Sequence, residues 1–120
     1  SAITATYKVL PQLKDKFLAM SYRVPTAIVS SADATIEVEK EITLDSLSEL
    51  LKDYESSHPK IIKNNHDALV STDFIKTDVS VVVDHRFLKV RDGFIKSLSW
   101  YDNEWGYSSR VIDLVNYLQK

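Results

Sequence analysis

The chain of 120 residues suits one domain, and its hydrophobic share of 44% is enough to bury a core. Its 15 basic and 17 acidic residues leave a formal net charge of -2 with no block of like charge, so neither nucleic acid nor an anionic membrane surface is expected as a partner. It has no cysteine, which excludes disulfides, thiolate metal sites and a cysteine nucleophile within this chain, and its two glycines, Gly93 and Gly106, stand too far apart to build a glycine-rich phosphate loop.

The opening residues Ser1-Ala2-Ile3-Thr4-Ala5 have no basic stretch followed by an apolar one, so no signal peptide is expected. No apolar run approaches the ~20 residues of a membrane span, and a cytoplasmic setting is the expectation. A helix is predicted from Ala2 to about Leu10, with Ile3, Tyr7 and Leu10 on one face and Pro11 against its continuation. Phe17 to Val24 alternates, with Leu18, Met20, Tyr22 and Val24 on one side, and predicts a strand. Pro25 interrupts it. A second strand is predicted from about Ala27 to Glu39, with Ile28, Ala32, Ala34, Ile36 and Val38 sharing a face.

Thr43 reads as the N-cap of a second helix, with Asp45 in its first turn and Leu44, Leu47, Leu50, Leu51 and Tyr54 as the buried stripe to about Glu55. Ser56-Ser57-His58-Pro59 reads as a loop. Three short strands are predicted next, at about Lys60–Lys63, Leu69–Ile75 and Val79–Asp84. Phe87–Val90 and Phe94–Trp100 flank Arg91-Asp92-Gly93, a hairpin signal. A final helix follows Asp102 or Asn103, either of which suits its cap, with Val111, Leu114, Val115 and Leu118 as its core face. The order of elements, linked by short turns, predicts an α+β domain with a largely antiparallel or mixed sheet and helices packed on one face. The other face, with alternating polar and small residues, is expected to meet solvent, a partner subunit or another part of the same protein.

Residues 100–108 concentrate the local signal. Trp100, Tyr101, Trp105 and Tyr107 interleave with Asp102, Asn103 and Glu104. One reading is a strand end feeding a helix, with packed aromatics and an acidic or amide cap. The other is an Asn that presents its amide to a ligand, since an amide carries both donor and acceptor and suits a carboxamide. His58, His66 and His85 are not at metal-ligand spacing, so no metal site is expected. Asp84-His85 are adjacent strand residues and so point to opposite faces.

The run Trp100-Tyr101-Asp102-Asn103-Glu104-Trp105-Gly106-Tyr107-Ser108 resembles the C-terminal signature of phosphorylating glyceraldehyde-3-phosphate dehydrogenases. Leu10-Pro11-Gln12-Leu13-Lys14, Tyr22-Arg23-Val24-Pro25-Thr26 and Leu69-Val70-Ser71-Thr72-Asp73-Phe74 extend that resemblance, in the same order, over essentially the whole chain. The resemblance implies a single domain over residues 1–120, the C-terminal part of a dehydrogenase catalytic domain without its N-terminal nucleotide-binding domain. It implies that Asn103 contacts the nicotinamide carboxamide of NAD or NADP, that Tyr107 lies near the nicotinamide ring, and that Arg23 binds a phosphate of the phosphorylated aldehyde or inorganic phosphate. A planar, multidentate guanidinium suits that last role. It further implies a homo-oligomer, a tetramer in the family. The family's cysteine nucleophile and its histidine belong to an upstream part, so this chain by itself is expected to be inactive.

Two departures stand out. Ile28 occupies a position where the family commonly has Asn, and Lys63-Asn64-Asn65-His66-Asp67 stands where Gly and Tyr are usual. The closely similar erythrose-4-phosphate dehydrogenases often carry Cys at the position of Tyr101, so Tyr101 and Tyr107 lean towards the three-carbon substrate. A stand-alone, non-catalytic assembly module of the same fold is the alternative role.

Overall fold

The structure, a computed structural model, describes residues 2–119. Its helices are α1 (Ala2–Val9), α2 (Leu44–Ser57) and α3 (Trp105–Leu118), and its strands are β1 (Ser30–Glu37), β2 (Ile62–Asn65), β3 (Val81–Arg91) and β4 (Phe94–Tyr101). The strands form one sheet in the order β1-β4-β3-β2. β2 runs parallel to β3, and the other two pairings are antiparallel. The α+β class and the mixed sheet are as the sequence pattern predicts.

Local chemistry explains most boundaries. Thr43 caps α2 as expected: its Oγ1 accepts from the Ser46 N–H at 3.1 Å, and the Ser46 hydroxyl accepts from the Thr43 N–H at 3.1 Å. Asp92 (φ 50°) and Gly93 (φ 79°) both take the left-handed region, as a two-residue turn of the I′ type between β3 and β4 requires.

β3 is one long strand where two short ones were predicted. Its pairing with β4 runs through Asp84↔Leu98, then resumes at Lys89↔Lys96, so residues 85–88 oppose Ser97 alone. That bulge inverts the alternation along β3. Val82 faces one side of the sheet and packs with Val29, Phe74 and Val79, joined by Leu69 and Trp100. Leu88, also at an even position, faces the other side and packs with Leu47 of α2 and Ile95, joined by Leu51 and Val90. One strand therefore supplies two cores.

Several expectations are corrected. Phe17–Val24 is not a strand; it has no regular secondary structure and is exposed after the half-buried Phe17, and Leu18 is 95% exposed. Its alternation is of the right kind, but among the described residues no strand pairs with it, and a strand without a ladder gains nothing from alternation. Leu69–Ile75 is not a strand either: Ser71–Phe74 forms a short 3-10 turn. There Asp73 accepts the Val70 N–H at 2.8 Å, and polar side chains that bond the local backbone compete with a ladder. In α2 only Leu47 is buried and Leu51 half-buried, while Leu44, Leu50 and Tyr54 are exposed. In α3 the predicted core face of Val111, Leu114, Val115 and Leu118 is exposed. The helical spacing is right, but the surface that such a stripe needs is not supplied by this sheet.

The exposed apolar residues of the 17–24 segment and of α3 favour burial in an intermolecular contact. Sedimentation velocity of the purified chain is expected to show concentration-dependent self-association; a clean monomer at high concentration runs against that expectation.

Candidate functional site

The junction between β4 and α3 is built on Asp102, which is 2% exposed. One carboxylate oxygen accepts the Glu104 N–H at 3.1 Å and the Trp105 N–H at 2.9 Å, and the other accepts the Lys76 N–H at 2.8 Å. The first two donors belong to the first turn of α3, where N–H groups have no partner within the helix. Asp102 is thus the capping side chain, and Asn103 is left exposed just outside the helix. The Lys76 bond ties the junction to a left-handed residue (φ 63°) that follows the 3-10 turn.

Gly106 is buried in the first turn of α3. A Cβ built there would lie 3.0 Å from the carbonyl oxygen of Val79, tighter than an ordinary van der Waals contact, so the helix approaches the chain before β3 closely at this glycine. Farther along α3, Arg110 donates to the Lys60 carbonyl and to the Ser80 hydroxyl, and it pairs with Asp113 at 2.9 Å. Asp113 also pairs with Lys60 at 2.7 Å. These polar contacts, rather than an apolar stripe, dock α3.

Of the predicted site residues, the structure brings two together. Asn103 and Tyr107 line one open concavity of about 270 Å³ with Ser80, Tyr101, Asp102, Gly106 and Arg110. Tyr107 is 72% exposed, and the Asn103 Oδ1 lies 3.4 Å from the Ser30 hydroxyl at the start of β1. Arg23 is not among the lining residues; it sits exposed on the irregular 17–24 segment. A larger concavity of about 470 Å³, lined by Ser57, His58, Lys60, Asp113 and Tyr117 among others, lies between the end of α2 and α3.

Beneath the junction, the Asp84 carboxylate is fully buried beside Trp100. Arg86 donates to both its oxygens, at 2.9 Å and 2.6 Å, and the Trp100 indole N–H donates at 3.0 Å. Arg86 also donates to the Leu69 carbonyl at 2.7 Å. Sequence reading missed this network, whose only signal is an Asp and an Arg two positions apart in a β-branched run. The hydrogen bonds from Arg86, reinforced by Trp100, hold the Asp84 carboxyl below its ordinary value of 3.8 against the opposing effect of burial. The backbone N–H of Trp105, with those of Lys76 and Glu104, does the same for Asp102.

His66 and His85, distant in sequence, have ring centroids 4.3 Å apart. The Asn64 amide donates to Glu55 at 2.7 Å and to the Leu51 carbonyl at 3.1 Å, so its Oδ1 accepts from His85 Nε2 at 2.7 Å. Burial, and then repulsion from His66, depress the His85 pKa below its ordinary 6.5. Among the described residues no group of three His, Cys, Asp or Glu side chains is placed to hold a metal ion, and no helix is long and apolar enough to cross a membrane.

The family model described as "Glyceraldehyde 3-phosphate dehydrogenase, C-terminal domain" matches residues 1–103. The chain is 43% identical over 121 residues to the cytosolic glyceraldehyde-3-phosphate dehydrogenase of Sinapis alba, covering 99% of this chain and 36% of that protein. It is 44% identical over 119 residues to the cytosolic enzyme of Pinus sylvestris, covering 98% and 35%. It is 41% identical over 121 residues to the glyceraldehyde-3-phosphate dehydrogenase of Sclerotinia sclerotiorum, covering 99% and 36%. The chain therefore spans about a third of the length of these relatives.

Two outcomes follow for this junction. Gly106→Ala is expected to destabilise by about 1–3 kcal/mol, because the clash with the Val79 carbonyl outweighs the ~1 kcal/mol that alanine ordinarily gains in a helix; chemical denaturation measures it. On acidification, the thermal midpoint is expected to fall in two stages. His85, depressed in the fold, contributes stability that is present above its ordinary pKa and is lost as pH falls below it. Asp84 and Asp102, also depressed, contribute stability that is present above the ordinary carboxylate value and is lost as pH falls through their lower folded values. His85→Gln should remove the first stage and leave the second.

Proposed function

The chain belongs to the glyceraldehyde 3-phosphate dehydrogenase C-terminal domain family, and from that membership we propose that it is the C-terminal portion of a phosphorylating glyceraldehyde-3-phosphate dehydrogenase catalytic domain. In this reading the complete enzyme converts a phosphorylated aldehyde, inorganic phosphate and NAD or NADP to an acyl phosphate and the reduced dinucleotide. It works in the cytoplasm as a homo-oligomer. The present chain contributes contacts rather than the nucleophile, since it has no cysteine.

One observation supports the reading: Asn103 and Tyr107, two of the residues that carry the sequence resemblance, line one concavity, with Asn103 exposed. An exposed amide beside an aromatic ring fits the carboxamide ring of a nicotinamide, which supplies hydride acceptance when bound. The chain has no glycine-rich loop for a pyrophosphate, so the rest of the dinucleotide is held elsewhere. In the complete protein Asn103 holds the carboxamide and so sets which face of the ring meets the substrate. Arg23, on its exposed segment, donates to a phosphate of the substrate or to the attacking inorganic phosphate. A guanidinium presents several N–H groups in one plane and remains charged throughout the working pH range, so it orients that anion without exchanging a proton.

Tyr101, a Cys position in many erythrose-4-phosphate dehydrogenases, favours the three-carbon aldehyde over the four-carbon one. A second reading, a non-catalytic assembly module, is favoured by the exposed apolar residues of α3 and of the 17–24 segment.

The test is to assay the chain alone and joined to a family nucleotide-binding half that carries the cysteine. Alone, no phosphate-dependent reduction of NAD is expected; joined, activity is expected. In the joined enzyme Asn103→Ala should raise KM for the dinucleotide about tenfold, and Arg23→Ala should raise KM for phosphate by about tenfold or more. Activity of the chain alone, or variants indistinguishable from the parent, would falsify this assignment.

A further inference from the structure

Asn103 has two ways to present its amide, and they are chemically opposite. With Oδ1 outward it accepts a hydrogen bond; with Nδ2 outward it donates one. Which of the two a ligand meets is decided by whatever engages the other end. Ser30 Oγ lies 3.4 Å from Asn103 Oδ1, 73 positions away along the chain. An amide oxygen carries no hydrogen, so the serine hydroxyl is the donor. That contact turns the Oδ1 end towards Ser30 and leaves both Nδ2 hydrogens for a ligand.

The backbone on both sides of this contact is held. Asp102, directly before Asn103, is locked by backbone donors at 2.8 Å, 2.9 Å and 3.1 Å. Its carboxylate is acceptor-only when ionised, so all three bonds are of one sense and their directions are fixed. Val29, directly before Ser30, adopts φ 70°. A β-branched residue in the left-handed region costs about 1–3 kcal/mol, a strain kept only where the surroundings enforce it. Here the Val29 side chain is buried against Phe74, Val79 and Val82. The resulting bend is where the chain enters β1 with Ser30 opposite Tyr101, so that Ser30 reaches the residue two beyond its partner.

We propose that Ser30 and Asp102 are positioning residues that present Asn103 as a hydrogen-bond donor, and so select a ligand with an exposed carbonyl oxygen at this concavity. The proposal deepens the nicotinamide reading above and rests on it only for the identity of the ligand. Neither residue touches the ligand; both act through Asn103.

The test uses the full 120-residue chain, labelled with nitrogen-15 and carbon-13. Three-bond couplings report the χ1 rotamer of Asn103, and its side-chain amide resonance reports ligand contact. The parent chain is expected to show one rotamer, whereas Ser30→Ala and Asp102→Asn should show averaged couplings. In Asp102→Asn an amide replaces a carboxylate, so one backbone N–H faces a donor. Titration with millimolar NAD should shift the Asn103 amide in the parent, with about fivefold weaker binding in Ser30→Ala and recovery in Ser30→Thr, which keeps the hydroxyl. A fixed rotamer in Ser30→Ala, or NAD binding there equal to the parent, overturns the proposal. Should Asp102→Asn fail to fold, the Ser30 pair decides alone. Averaged couplings in Ser30→Ala with no response to NAD in any of the proteins support the positioning, and the KM of the joined enzyme for the dinucleotide, unchanged in Asn103→Ala, is then the result that overturns the nicotinamide reading.

Discussion

The fold depends on a break in the alternation of β3. A regular strand lines a single face with every second residue, so a strand that carried Val82 and Leu88 in strict alternation would place both on one side. The bulge after Asp84 turns Leu88 to the opposite side. Four residues on one strand facing a single residue on the other would leave backbone and side-chain polar groups without partners. Arg86 occupies that stretch and spends its donors on Asp84 and on the Leu69 carbonyl. The ion pair and the bulge therefore belong together: the charge that is buried in forming the bend is satisfied by the residue the bend contains.

β4 ends between two buried carboxylates that are satisfied in different ways. Asp84 meets a guanidinium and the Trp100 indole; Asp102 meets three backbone N–H groups and no cation. The first arrangement anchors Trp100, which stacks on Phe74 with centroids 5.6 Å apart. The second anchors the start of α3. Both carboxylates favour the ionised state, and in both the fold gains from it. Between them the chain passes from a packed indole to an exposed amide within three residues, Trp100 to Asn103. A polar side chain is thereby presented from a rigid platform, which is what selective binding requires.

The rest of the surface describes a domain built to be covered. The cores are small, α3 is held by ion pairs and one close glycine contact, and its apolar residues face outward. The matched relatives are about three times as long. Arg23 and Asn103 fall on different parts of this surface, one on an exposed irregular segment and one at a capped helix start. A working site that uses both needs the segment around Arg23 held, and the exposed Leu18, Met20, Tyr22 and Val24 mark the side by which it would be held.

The sequence by itself determined the elements whose causes are local. Thr43 capping α2, the Asp92-Gly93 turn, the β-branched run of β3 and the amphipathic spacing of α3 depend on neighbours a few residues away, and the signature around Asn103 is contiguous. Tertiary structure alone decided what depends on partners. Whether Phe17–Val24 pairs as a strand depends on a ladder that its own alternation does not provide, and whether the stripe of α3 is core depends on a surface to bury it. Asp102 rather than Asn103 takes the Glu104 and Trp105 N–H groups, and its other carboxylate oxygen is held by the Lys76 N–H, 26 residues away. The bulge in β3 has no signature of its own, because a register shift is a property of two strands, and the pairing of His66 with His85 or of Ser30 with Asn103 follows from that register rather than from either sequence neighbourhood.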